Sequence, residues 1–212
     1  MKGYAGSWLI TGLPGEAPLR DGAVVFDGTR VVSVGVRSAL QADEWIETPS
    51  ILLPGLVNAH VHLELSKLRG ETRSGGGFGP WVSSMMLRRE VLQPEHDEEA
   101  IDAGISELLR AGTAAIGEVS NTLASVPLLG SAPLLGRVYH EVFGISREAA
   151  GRMLDLAEAK RAQVVWPQNL SYALAPHTVY SLHADTLREL SRGRTSLHLS
   201  EHVAERTFLR DG

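Results

Sequence analysis

The sequence contains no cysteine and no block of basic residues. Its 212 residues include 20 Lys+Arg and 25 Asp+Glu, which gives a net charge of -5. The absence of cysteine excludes disulfides and thiolate metal ligands, and it is typical of a cytoplasmic protein. Nucleic acids and anionic membranes require a clustered basic surface. The net negative charge and the lack of a basic block therefore argue against a nucleic acid or an anionic membrane as the main partner.

Long hydrophobic runs are also absent. No stretch of about 18 apolar residues occurs, so the sequence predicts no membrane-spanning helix. Residues 1–12 contain one basic residue and a short apolar patch broken by glycine, and they lack the long hydrophobic core of a signal peptide. Hydrophobic residues make up 43% of the chain, enough for a sizeable core and for one or two domains.

Residues 1–53 have the pattern of a small β-domain. Two β-rich runs, Ala23 to Phe26 and Arg30 to Val34, flank the dipeptide Asp27-Gly28. Asp-Gly between two such runs is a strong signal for a tight hairpin. We therefore expect two antiparallel strands joined at this turn.

From Pro54 onward, apolar strand patterns alternate with helical ones. One helix is predicted from Pro94 to Gly112, one after the capping residue Ser146, and one around Leu187. The predicted strands are LPGLVNAHVHLEL, TAAIGEVS, GRVYHEVFG, NLSYALAPH and TSLHLSEH. This alternation favours parallel strands with crossover helices, in an α/β fold. We count about five of the eight βα units of a (β/α)8 TIM barrel over residues 54–212.

Polar residues follow several of these strands. In a parallel βα barrel the strand ends meet at one mouth, where active sites lie. The Gly-rich segment SGGGFGP lacks the lysine of a phosphate-binding loop, and it suggests a mobile lid over that mouth.

His60 and His62 lie two residues apart in the first predicted barrel strand. Side chains alternate along a strand, so both imidazoles point to one face and could bind one metal ion. A pair of hydrogen-bonded core histidines has the same spacing and remains an alternative. His198 in the fifth strand is a candidate third ligand, although a single histidine in an apolar strand is usually structural. Glu201, three residues on, could move protons beside a metal-activated water.

Three further residues are candidates for contact with a substrate. His177 follows the fourth strand and either faces the mouth or begins the next helix. His140 and Glu141 are neighbours and face opposite ways, and we favour Glu141 as the residue that faces the mouth. Trp81 follows the first strand and either stacks on a flat substrate or packs on the barrel as part of the lid.

The segment LPGLVNAHVHLEL resembles the metal-binding signature of the amidohydrolase superfamily. The segments KLRG, APHTVYS and HLSEH are similar to those of the branch that contains aromatic-base deaminases and chlorohydrolases. HLELS and YHEVFG resemble its aminofutalosine deaminase-like members, and the same branch includes S-adenosylhomocysteine deaminase-like proteins. The resemblance covers essentially the whole chain and implies that residues 1–53 are the N-terminal part of a small β-sandwich.

The resemblance also implies a set of site residues and a reaction. His60, His62 and His198 become ligands of one divalent metal ion, Glu201 the proton shuttle and His177 a substrate contact. Zinc suits a histidine-rich site, and iron is also compatible. The implied reaction is hydrolytic deamination of an aromatic base or adenine nucleoside, with Glu201 protonating the ring nitrogen and then the leaving amine.

The superfamily pattern continues beyond the five units that we count. Three more βα units would supply a second catalytic histidine and a metal-binding aspartate, so we expect this chain to be an N-terminal fragment. A homo-oligomer, or a partner carrying the missing half, would cover its open sheet edges. Two alternatives to a deaminase remain: an inactive metal-binding or structural fragment, and a chlorohydrolase or amide-ring hydrolase with the same ligands.

Overall fold

A computed structural model describes residues 1–72, 75–92 and 97–211. The chain divides into two compact units, Met1–Gly55 and Leu56–Gly212. In the sequence, the expected boundary fell between residues 53 and 54. Within the described ranges, no helix is long and apolar enough to cross a membrane.

The first unit is a five-stranded mixed sheet. Strand β1 pairs with β2 and β3 in antiparallel fashion and with β5 in parallel fashion, and β3 pairs with β4. The strands are β1 Lys2–Leu9, β2 Leu19–Arg20, β3 Gly22–Asp27, β4 Arg30–Val36 and β5 Glu44–Leu52.

The predicted hairpin between β3 and β4 is confirmed. Asp27 is the register partner of Arg30, so the turn consists of Gly28 and Thr29. Gly28 has a φ of 56°, in the left-handed region that a two-residue hairpin turn requires and that glycine adopts without steric cost. The Asp-Gly signal therefore located the hairpin, although the turn itself begins one residue later than the dipeptide, at Gly28.

The second unit combines a parallel sheet with helices. Its sheet has the order β6-β7-β8-β9, and all neighbouring strands are parallel. The strands are β6 Leu56–Val61, β7 Thr113–Ser120, β8 Leu135–Val142 and β9 Leu170–Pro176. The helices are α1 Phe78–Val91, α2 Asp97–Arg110, α3 Val126–Ser131, α4 Arg147–Gln163, α5 Ala184–Leu190 and α6 Val203–Asp211, with a 3₁₀ helix at Leu63–Leu68.

A buried apolar cluster fixes the helices on this sheet. Ile101 and Ile105 of α2 are one helical turn apart and pack with Ile116 of β7 and Val138 of β8. All four side chains are buried. The spacing that predicted the α2 helix therefore also marks the face that it buries against the sheet.

Strand β6 contains a bulge immediately before its end. Asn58 and Val61 pair with Ile116 and Glu118, so three steps along β6 match only two along β7. The carbonyl oxygen of Ala59 lies 2.2 Å from where a Cβ on Gly117 would be, and any larger residue there would collide with it. Bulges redirect side chains, and His60 lies within this one.

Two features of the second unit differ from the sequence-based expectations, and a third expectation lies outside the described residues. Helix α1 was not predicted, and the proposed Gly-rich loop gives way at Phe78 to this helix. Helix α2 begins at Asp97 among the described residues, and Pro94, the predicted start, lies outside them. The predicted fifth strand is reduced to one parallel bridge between Thr178 and His198.

Candidate metal centre

The ends of two chain segments bring three histidines together. His60 is the penultimate residue of β6, and His62 follows directly after that strand. His198 is held by its backbone N–H, which donates to the His177 carbonyl at 3.0 Å. The Nε2 atoms of His60 and His62 are 3.1 Å apart. The ring of His198 is 4.6 Å from that of His60 and 5.2 Å from that of His62, measured between centroids.

This donor set fits a divalent metal ion. One ligand nitrogen from each of the three histidines lies within 4.8 Å of the other two. At zinc–nitrogen distances of about 2.0–2.1 Å, nitrogens 3.1 Å apart subtend about 100°, close to a tetrahedral angle. His60 Nδ1 is 2.9 Å from Ser196 Oγ, a contact that orients the ring and leaves Nε2 for the ion.

The protonation of the three rings is not uniform. Burial lowers the pKa values of His60 and His62, so both rings are neutral and carry a free nitrogen lone pair at neutral pH. Hydrogen bonds to Glu141 and Glu201 raise the pKa of His198 to about 9. His198 must therefore release a proton when it binds a metal ion.

Two carboxylates flank the His198 ring. Glu141 Oε1 is 3.2 Å from Nε2, and Glu201 Oε1 is 2.8 Å from Nδ1. Burial works to raise the pKa of Glu141, but hydrogen bonds from His198 and Asn121 outweigh it and lower that pKa. Glu141 is therefore ionised, and its side chain is almost fully buried, whereas that of Glu201 is 45% exposed.

A third carboxylate, that of Glu205, anchors the turn that carries Glu201. Glu205 on α6 accepts hydrogen bonds from the backbone N–H groups of Ser200 and Glu201, both at 2.9 Å. Ser200 has a φ of 59°, an uncommon left-handed conformation for a serine. Glu205 thus holds a strained turn that directs Glu201 at His198.

The structure places both His140 and Glu141 at the wall of one cavity, whereas the sequence predicted that only one of them faces the mouth. Glu141 reaches His198, whereas His140 Nδ1 lies 3.0 Å from Tyr172 Oη in a separate contact. His177 is also at the centre, with its ring centroid 5.2 Å from that of His198. Glu141, His177 and His198 form a second close group of potential ligand atoms.

A cavity of about 980 Å³ opens beside these residues. Its walls include the histidines and carboxylates of the centre and one side of α1, from which Trp81 and Met85 project. Trp81 is therefore on a helix, not in a loop as the sequence suggested, and its ring is 5.9 Å from that of Phe78. Trp81 contributes to the wall and packs on its own helix.

Two carboxylates in this region have roles that the sequence reasoning missed. Glu64 is buried in the 3₁₀ helix after His62, and its carboxylate accepts hydrogen bonds from Ser120 Oγ and from the Thr122 N–H at the end of β7. Glu118 accepts from the Leu63 N–H and from Ser125 Oγ in the core, away from the histidines. The one available signal for Glu64 was a charged residue inside the apolar run that follows His62.

Curated relatives of this chain include nucleoside deaminases. An adenosine deaminase from Helicobacter pylori is 31% identical over 196 residues, which cover 88% of this chain and 47% of that protein. An aminodeoxyfutalosine deaminase from Nitratiruptor is 28% identical over 210 residues, which cover 92% of this chain and 51% of that protein. The chain spans about half the length of the curated relatives it matches.

Solved structures give the same relationship. The aminofutalosine deaminase of Helicobacter pylori, in complex with methylthio-coformycin, superposes with a TM-score of 0.83 at 28% identity over 98% of this chain and 53% of that one. A zinc-bound atrazine chlorohydrolase from Arthrobacter aurescens, 19% identical over 99% of this chain and 55% of that one, has the same fold with a TM-score of 0.73. Residues 51–207 match the Amidohydrolase family. With this match over most of its length, the chain belongs to the amidohydrolase family.

Proposed function

We propose that this chain carries the centre of a metal-dependent hydrolytic deaminase that acts on an adenine-type nucleoside. The observation that carries the proposal is the convergence of His60, His62 and His198, with Glu201 2.8 Å from the third of them. Relatives that align over more than four-fifths of the chain are named as deaminases of adenosine, aminodeoxyfutalosine and S-adenosylhomocysteine. This agreement supports the reaction class.

Zinc is the metal that the donor set suits best. His60, His62 and His198 would hold it, and neutral imidazoles are ligands that zinc prefers in the absence of thiolates. When bound, the ion supplies the Lewis acidity that makes water a nucleophile at neutral pH. Zinc in related structures of the same fold supports this choice over iron.

Glu201 is the proton-transferring residue of the proposal. Its carboxylate is half-exposed at the cavity and is held by the Glu205-anchored turn, so it reaches both solvent and substrate. In hydrolytic deamination, Glu201 takes a proton from the attacking water and delivers it to the ring nitrogen beside the amino-bearing carbon. Glu201 then takes the proton of the newly attached hydroxyl group and passes it to the amine, so that the carbon–nitrogen bond breaks, a carbonyl group forms and ammonia leaves.

The residues that line the cavity suit a nucleoside substrate. Glu141 and His177 line the cavity and offer one ionised acceptor and one neutral imidazole, and burial lowers the pKa of His177. Trp81 supplies a flat apolar surface for the base. A volume of about 980 Å³ is ample for a nucleoside, and the inhibitor complex of the Helicobacter pylori enzyme supports a ligand of that kind.

The fold gives this centre its position. We infer that the β6-β7-β8-β9 sheet, with its helices, is part of a (β/α)8 barrel over residues 54–212, and that residues 1–53 are part of a small β-sandwich. The parallel order supports the barrel, because the carboxyl ends of successive strands place His62, Glu141 and His177 at one edge.

The test is ammonia release by the full chain. Zinc-loaded and chelator-treated protein would be incubated with adenosine, 5′-methylthioadenosine and S-adenosylhomocysteine, with ammonia and the loss of the adenine chromophore measured together. We expect both signals from at least one nucleoside, with zinc only. Zinc-loaded protein that releases no ammonia from any of them would show that these 212 residues do not complete a deaminase site by themselves, and release of chloride from a chlorotriazine instead would contradict the deaminase assignment and assign a chlorohydrolase.

A further inference from the structure

Glu64 has a carboxylate surrounded by donors from one short loop. The side chain is 4% exposed, and its two oxygens accept hydrogen bonds from the residues that end β7. The donors are Ser120 Oγ at 3.0 Å, Asn121 N at 3.1 Å, Thr122 N at 2.9 Å and Thr122 Oγ1 at 2.6 Å, with Arg89 Nη2 of α1 at 3.2 Å. A buried carboxylate is tolerated because these charge-assisted bonds replace water.

The loop that Glu64 holds carries a side chain into the metal centre. Asn121 Nδ2 donates to Glu141 Oε2 at 2.8 Å. The other oxygen of Glu141 is 3.2 Å from His198 Nε2. The carbonyl of Asn121 accepts from Lys160 Nζ at 2.7 Å, which fixes the same residue from the other side. A continuous path of contacts therefore runs from Glu64 through Asn121 and Glu141 to His198, by hydrogen bonds as far as Glu141 and by the 3.2 Å ion-pair contact from Glu141 to His198.

The geometry makes Asn121 dependent on Glu64. The backbone N–H groups of Asn121 and Thr122 both point at the Glu64 carboxylate, so removing that group leaves two donors without an acceptor. The loop would turn these groups toward water, and the Asn121 amide would move with its backbone. Glu141 would then lose the contact that selects its rotamer, since its second oxygen has no other hydrogen bond among the described residues.

We propose that Glu64 is a positioning residue of the metal centre and that it holds His198 in place through Asn121 and Glu141. The inference rests on the proposed function only in taking His198 as a metal ligand. Partners beyond the ligands orient the ligand rings, and their loss typically weakens metal binding about 10–100-fold. Glu64 does this at a distance, from the segment that directly follows His62.

Cobalt is the probe for this path, because Co²⁺ replaces zinc in histidine sites and its visible absorption reports ligand geometry. The full chain and the Glu64→Ala and Asn121→Ala variants would be titrated with Co²⁺, and the spectrum would be expressed per bound ion. We expect each variant to bind Co²⁺ about 10–100-fold more weakly, with an altered band. A loss of folded protein alone would lower the amount bound and leave the band per bound ion unchanged.

Two further variants distinguish a positioning role of Glu64 from a general loosening of the structure around it. The double variant Glu64→Ala/Asn121→Ala should bind Co²⁺ no more weakly than Asn121→Ala alone, because both changes break one path. Arg89→Gln removes the contact of Glu64 with α1 but leaves the Asn121 contacts, so its Co²⁺ affinity should stay within about twofold of wild type. Additive losses, or an Arg89→Gln loss as large as that of Glu64→Ala, would overturn the proposal.

A metal-free measurement keeps the inference separate from the proposed function. In the metal-free chain, the NMR signals of the Asn121 side-chain amide should shift in Glu64→Ala and in Glu141→Gln, and should stay in place in Arg89→Gln. Unchanged Asn121 signals in Glu64→Ala would refute the path. If wild type binds no Co²⁺, the metal assignment fails, and the amide signals alone decide whether Glu64 positions Asn121.

Discussion

The Nε2 atoms of His60 and His62 are 3.1 Å apart and face each other. Two neutral imidazoles in this position can form at most one weak hydrogen bond, and two protonated rings would repel each other. Burial lowers the pKa of both rings, which favours the neutral forms that ligate a metal. His60 lies within the β6 bulge, where side chains are redirected, and His62 directly follows the strand.

Substitution of either histidine should remove most of the bound metal. His60→Ala and His62→Ala each delete one of three imidazole ligands. The two remaining imidazoles do not complete the three-ligand set that holds zinc in a site of this kind. Zinc per chain, measured by mass spectrometry after dialysis, should fall far below that of wild type. His183→Ala, a histidine at the start of α5 outside the cluster, is the matched control and should keep its zinc.

Glu201→Gln should separate metal binding from turnover. The amide has nearly the shape of the carboxylate but cannot carry a proton, so we expect zinc content near that of wild type and ammonia release reduced at least 100-fold. Glu158→Gln, an exposed carboxylate on α4, controls for the substitution type. A Glu201→Gln variant with ordinary turnover would refute the proton-transfer role.

Glu205 should stabilise both the end of the chain and the Glu201 turn. Glu205→Ala leaves the N–H groups of Ser200 and Glu201 without their acceptor, at a cost of about 1 kcal/mol, as for other lost helix caps. Amide hydrogen exchange should rise in α6 and in this turn, while β7 and β8 exchange as in wild type. Glu205→Gln keeps one acceptor oxygen and should lie in between; equal protection in all three proteins would contradict the anchoring role.

Glu118 should make the protein less stable as pH rises. Burial is the main cause that raises its pKa to about 8, from an ordinary value of 4.5. Between these values the folded state binds more protons than the unfolded state, so the free energy of unfolding falls as pH increases. Glu118→Gln cannot ionise, and its melting temperature relative to wild type should therefore rise from about pH 5 to pH 8. A constant difference across this range would show that Glu118 does not titrate with folding.

Local signals in the sequence predicted much of the fold. Asp27-Gly28 marked a hairpin because backbone conformation at a two-residue turn is a local property. Ser146 marked the start of α4, where its Oγ accepts from the Ala149 N–H at 3.2 Å. Helix α1 was not predicted because Phe78–Val91 has no clear apolar face and none of its residues is buried. Its sequence therefore lacks the periodic apolar pattern that predicts a helix.

The candidate site was predicted in part. His60, His62, His198, His177, Glu141 and Glu201 were selected as polar residues at strand ends, and the structure brings all six to one cavity. The contact between Glu64 and Asn121 could not be found in this way, because it joins residues 57 positions apart and depends on the register of β6 against β7. Strict alternation along β6 was also too simple, since the bulge and the end of the strand at Val61 set the directions of His60 and His62.

X-ray absorption at the zinc edge of the zinc-loaded full chain tests the central claim most directly. Our account predicts an inner shell that contains three imidazole nitrogens at about 2.0–2.1 Å, with one imidazole fewer in His198→Ala. A shell of oxygen atoms alone, or an unchanged imidazole count in His198→Ala, would contradict a metal centre built from His60, His62 and His198.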